Sequence, residues 1–107
     1  MHLSFENIEI RSICEDESKG VIAYGPAVIE KLKNRLTDML AARTVSEIPS
    51  IGNPRETMGN PYTHYIIDLC DGFYIIFSAN HVTVPLLENG NVNWAEVSRI
   101  KILQIAK

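Results

Sequence analysis

Cysteine is scarce in this chain, long apolar runs are missing, and there is no excess of positive charge. Only Cys14 and Cys70 occur, far apart and at no zinc or redox spacing. A single bridge between them is compatible with the count, but a reducing compartment favours two thiols, buried as small apolar side chains. No stretch approaches the roughly 18–20 consecutive apolar residues of a membrane-spanning helix. The opening Met1-His2-Leu3-Ser4-Phe5-Glu6 lacks the basic head and long apolar run of a secretory signal, so a cytoplasmic protein is expected. Ten basic against 13 acidic residues leave a net charge of −3. A protein that grips nucleic acid unaided usually carries the opposite balance. A focused basic patch is still compatible with these numbers.

The deficit is local. Residues 1–24 hold five acids (Glu6, Glu9, Glu15, Asp16, Glu17) against Arg11 and Lys19, whereas residues 25–58 hold five bases and four acids. An acidic leading segment of this kind is an ordinary solvated face. With 107 residues, 46% hydrophobic and 21% charged, the chain suits one domain, 1–107, around one core.

Leu3-Ser4-Phe5 alternates as a short strand. Asn7 is placed to cap a helix over about Ile8–Cys14, with Ile10, Ile13 and Cys14 on its buried stripe. The run Glu15-Asp16-Glu17-Ser18-Lys19-Gly20 breaks that pattern and is read as the helix's end. Gly25-Pro26 then opens the best-defined helix, reaching about Arg43. Val28, Ile29, Leu32, Leu36, Met39 and Leu40 form its apolar stripe, and Arg35 falls with the polar remainder. Residues 44–60 are turn-rich, with room for a short strand near Arg55–Met58. Thr63–Leu69 and Phe73–Phe77 are aromatic and β-branched strands flanking Asp71-Gly72, a hairpin turn pair. A long loop over 78–92, one turn at Trp94–Val97 and a last strand at Ile100–Ile105 complete the reading. The order β-α-α-β-β-β-β predicts an α+β fold: two N-terminal helices on one face of a mainly antiparallel sheet of four to five strands.

Several of these segments recur together in a known family. Leu3-x-Phe5, Cys14-Glu15-Asp16, Tyr24-Gly25 and Arg35-Leu36 lie in the front half. Asp68-Leu69, Gly72, Tyr74-Ile75-Ile76-Phe77 and Trp94-x-x-Val97-x-x-Ile100-Lys101-Ile102-Leu103-x-Ile105 follow in the back half. The ordered set, spanning essentially the whole chain, resembles the RelE/ParE superfamily of bacterial toxins, in particular its HigB-like branch. The resemblance implies a compact, curved-sheet fold and the toxin role in a type II toxin–antitoxin system. It also implies a helix-turn-helix antitoxin as partner, through which the complex contacts operator DNA, and cleavage of messenger RNA on the ribosome with no metal or other cofactor.

Such cleavage needs a base for the ribose 2′-hydroxyl, a cation for the crowded phosphate and a proton for the leaving oxygen. Arg55, His64 and Tyr74 are the catalytic candidates; Tyr62, Tyr65 and Lys101 are the candidates for holding RNA, the tyrosines by stacking. Each also has an ordinary reading as a sheet or surface residue. The family's typical His-Glu-Leu-Lys-Gly lies opposite Arg55-Glu56-Thr57-Met58-Gly59, and Tyr74 stands where an arginine is usual. Those differences, with the −3 charge, motivate two alternatives: a non-catalytic toxin that binds antitoxin and assists repression, and a ParE-like gyrase poison. His2 and His81 have no partner at metal-ligand spacing, and the glycines form no phosphate-binding fingerprint.

Overall fold

The computed structural model describes all 107 residues, Met1–Lys107. Five strands, β1 (His2–Phe5), β2 (Arg55–Thr57), β3 (His64–Asp68), β4 (Tyr74–Ala79) and β5 (Arg99–Ala106), form one sheet in the order β1-β5-β4-β3-β2. Three of the four pairings are antiparallel; β1 runs parallel to β5. No helix is long and apolar enough to cross a membrane.

Three helices precede β2, where the sequence pattern suggests two: α1 (Ile8–Glu15), α2 (Glu17–Tyr24) and α3 (Pro26–Ala41). The α1 start is as expected, with Asn7 Oδ1 accepting the Ile10 N–H at 2.9 Å. The acidic run does not end helical structure, because Asp16 serves two helices at once. Its backbone N–H donates to the Ser12 carbonyl of α1 at 2.8 Å, while its carboxylate accepts from the Ser18 N–H and hydroxyl at the head of α2. The Ser18 hydroxyl bond first, and then one from the Lys19 N–H, hold the Asp16 carboxyl below its usual range. Gly20 is buried inside α2, where a Cβ would lie 2.6 Å from Ile29 Cδ1 and 3.1 Å from the Ile13 carbonyl. The glycine that reads as a breaker therefore lets three helices meet closely.

α3 opens at Gly25, φ +89°, with Pro26 at its first position. It stops at Ala41, because Ala42 is extended and Arg43 turns away to pair with Glu47 at 2.9 Å. Two residues on this helix depart from the expected faces. Leu40 is largely exposed, whereas Arg35 is buried, bound to Asp38 at 3.2 Å with its Nε unpartnered.

Ile29, Leu32 and Met39 of α3 pack on Ile67, Ile75, Phe77, Ile100, Ile102 and Ile105 from one side of the sheet, all at most 7% exposed. Each such side chain contributes roughly 1.5–3 kcal/mol by leaving water. The spacing Ile100, Ile102, Ile105 fits one face because β4 and β5 shift register: Phe77 faces Ile102, but Ile76 faces Gln104. Leu103 is the extra residue of a bulge, which carries Ile105 back to the core side. α1 contributes no fully buried residue; Ile10, Ile13 and Cys14 are half-buried at the margin, and both cysteines are free thiols.

Candidate functional site

Side chains alternate along a strand, so the buried set fixes what the opposite face displays. Ile67, Ile75, Ile100 and Ile102 face the helices. The alternation therefore puts His64 and Asp68 of β3, Tyr74 of β4 and Lys101 of β5 on the open face. Arg55 pairs with Ile66 across β2 and β3 and joins them there. Tyr65 does not. It lies on the helix side, its ring 5.0 Å from Trp94 and 5.5 Å from Phe77. Burial, and then the neighbouring Glu56 charge, push its hydroxyl pKa up.

On the open face the candidates fall into two groups. Tyr62, His64 and Lys101 line a groove of about 460 Å³, together with Thr63, Ser78 and Leu103. Two segments build its walls: the loop before β3 and the stretch near Val84. Gly59 lets the first of these lie on the His64 ring, because a Cβ there would come 2.5 Å from His64 Cδ2. Arg55 and Tyr74 form the second group, around Asp68, which pairs directly across from Tyr74. Asp68 lies four residue steps beyond His64, about 13 Å along an extended strand.

Each candidate cation has an acidic partner. Arg55 meets Asp68 through two bonds, Nη1 to Oδ2 at 3.1 Å and Nη2 to Oδ1 at 3.2 Å. Lys101 Nζ lies 3.1 Å from Glu6 Oε2. The open face thus presents paired charges, consistent with the chain's net −3. Sequence reasoning missed Glu6 as a partner, and marked Asp68 only as part of a recurring Asp-Leu pair. Neither signal is local, since each pair joins residues distant along the chain.

A larger groove, about 820 Å³, follows the free edge of β1 against α1. Its charged pair, Arg11 with Glu15 at 3.0 Å, is closed, and none of the candidate residues lines it. The smaller groove is the candidate site, because three of the candidate residues, Tyr62, His64 and Lys101, line it together. No three metal-ligating side chains come together anywhere in the fold. Compared with known proteins, the chain matches no protein-family model, no curated protein and no solved structure.

Proposed function

We propose that this chain is the toxin of a type II toxin–antitoxin pair, HigB-like, which cuts messenger RNA on the ribosome and is neutralised by a helix-turn-helix antitoxin. The site of action is then the cytoplasm. The observation that carries the reading is the groove holding Tyr62, His64 and Lys101 on the sheet face away from the helices. The ordered resemblance across the chain supplies the reaction class.

In this reading His64 accepts the proton of the ribose 2′-hydroxyl as that oxygen attacks the adjacent phosphorus. The bond to the 5′-oxygen breaks, that oxygen takes up a proton, and a 2′,3′-cyclic phosphate remains. Lys101 meets the charge gathering on the phosphate. Tyr62 supports a base by stacking, and Arg55 and Tyr74 extend the track along the strands. The test is cleavage of message on programmed ribosomes by the purified chain. His64→Ala is expected to slow cutting by roughly 10²–10⁴-fold, the usual worth of a positioned acid or base. Cutting at the full rate by this variant would remove His64 from the mechanism.

A second reading, a non-catalytic toxin retained for antitoxin binding and repression, is favoured by the Arg55–Asp68 and Lys101–Glu6 pairs, which occupy both cations. It predicts a stable complex with the antitoxin and intact message at any concentration of the purified chain.

A further inference from the structure

The sheet has two free edges, and they are built differently. β2, at one end, is three residues long, follows Pro54 and displays the exposed side chains of Arg55 and Glu56. Brevity, charge and a neighbouring proline are the usual guards against unwanted strand pairing. β1, at the other end, runs in unbroken register with β5 from His2 to Phe5 and carries no proline, lysine or bulge. The His2 N–H donates to the Ser98 carbonyl at 3.0 Å, and the Glu6 N–H to the Ile102 carbonyl at 2.8 Å. Alternation along a parallel ladder turns Ser4 the same way, so the N–H and C=O groups of Leu3 and Phe5 point outward from the edge. The groove of about 820 Å³ lies along these groups, lined on its other side by Ile8, Arg11, Ser12 and Glu15 of α1.

The residues around Ser4 are complementary to themselves when reversed. Two copies of β1, antiparallel about a two-fold axis at Ser4, set Leu3 of each against Phe5 of the other, and Ser4 against Ser4. Leu3 and Phe5 are then the hydrogen-bonded pairs, each exchanging both of its backbone bonds. His2, exposed at the start of the strand, comes opposite Glu6 of the second copy. Lys101 meets Oε2 of Glu6, leaving Oε1 for the incoming His2 ring N–H. The faces agree as well. Leu3 and Phe5 pair with Ile100 and Ile102 and pack against the core. The apolar side chains of both copies therefore meet on the helix side, where Ile8 lines the groove while 82% exposed. Arg11 and Glu15 neutralise each other, so the groove carries no uncompensated charge against a second copy.

We infer that the β1 edge is a dimerisation surface: two copies of this chain join β1 to β1, antiparallel about Ser4, and fuse their five-stranded sheets into one. A strand of unrelated sequence would find the same backbone groups but not the reversed match of residues 2–6, and that match selects a second copy. The helices of both copies then lie on one side of the joined sheet, and both candidate grooves on the other. The edge is short, so monomer and dimer exchange, and association depends on concentration.

Sedimentation velocity of the full chain, from low micromolar to millimolar concentration, reads the mass, expected to rise from 12.0 kDa toward twice that value. Ser4→Cys sets two thiols across the axis at a non-hydrogen-bonded pair, with Cα atoms about 4.5 Å apart, which a disulfide spans. With oxidised glutathione as oxidant, Ser4→Cys is expected to give a covalent dimer in high yield. The parent chain, with Cys14 and Cys70, and Glu56→Cys, at the middle of the β2 edge, are expected to give little. Ser4→Lys sets like charges opposite each other and is expected to weaken association about tenfold, with the monomer still folded by circular dichroism. A 12.0 kDa species at every concentration, whether the edge takes a strand of another protein or none, would overturn the inference. So would a dimer that Glu56→Cys traps and Ser4→Cys does not, or full affinity in Ser4→Lys. The inference does not rest on RNA cutting: a Ser4-linked dimer with message left intact would support it and refute that reading.

Discussion

Lys101 reaches from β5 to Glu6, the residue that follows β1, with 3.1 Å between Nζ and Oε2. Both side chains are partly exposed, so the pair contributes at most about 1 kcal/mol. Its weight lies in occupying the one cation that lines the candidate groove. Glu6→Gln releases that cation, and an oligoribonucleotide is expected to bind roughly two- to fivefold more tightly, with a steeper loss on adding salt. Titration at two salt concentrations checks this. Unchanged affinity and salt dependence would mean that Lys101 does not meet the ligand.

His81 ties the long loop after β4 to the start of β5. Its Nε2 accepts the N–H groups of Ser98, at 3.1 Å, and Arg99, at 3.3 Å, which places the ring proton on Nδ1. The Asn80 N–H adds a bond to the Arg99 carbonyl at 2.8 Å. His81→Ala removes the shared acceptor and is expected to cost about 1–3 kcal/mol, read by denaturant unfolding. Wild-type stability would show that water replaces the ring at no cost.

Much of this architecture is legible in local patterns. The β3–β4 hairpin follows from Asp71-Gly72, whose φ angles are +55° and +82°, and α3 from its apolar repeat behind Gly25-Pro26. The α2 helix escaped because Asp16 ends one helix and starts the next, and because Gly20 is needed for packing. Nothing in the spacing distinguishes Arg35, buried beside Asp38, from its solvated neighbours Lys31 and Lys33. The site was legible in part. Alternation separates His64 from Tyr65, but which of them faces the helices depends on packing against Trp94 and Phe77, far along the chain. The pairs Arg55–Asp68 and Lys101–Glu6 are tertiary for the same reason.

Gly52→Ala tests the turn behind Arg55. The positive φ strains any side chain, and the added Cβ would press on the Asp68 carbonyl and Ile67. A loss of roughly 1–3 kcal/mol is expected in thermal or denaturant unfolding. A variant as stable as the parent would show that the turn relaxes freely.

Cys14 is expected to resist alkylation. Burial, helped by the Glu15 charge, pushes its thiol from an ordinary 9.0 up to about 11. That two-unit difference leaves about a hundredfold less thiolate at pH 8 than in the unfolded chain. The folded protein holds this proton more tightly, so the matching stability is present below about pH 9 and is lost as pH rises through 11. A mass-spectrometric time course, native against urea-unfolded, measures the difference. Equal rates would place the thiol in open solvent.

Expression of the chain from a tightly controlled promoter, following growth, protein synthesis and message integrity, tests the central proposal most directly. Rapid arrest with cleaved message, relieved by co-expression of the neighbouring gene and absent in His64→Ala, is the predicted result. Normal growth with intact message, while folded protein accumulates to high levels, would contradict it.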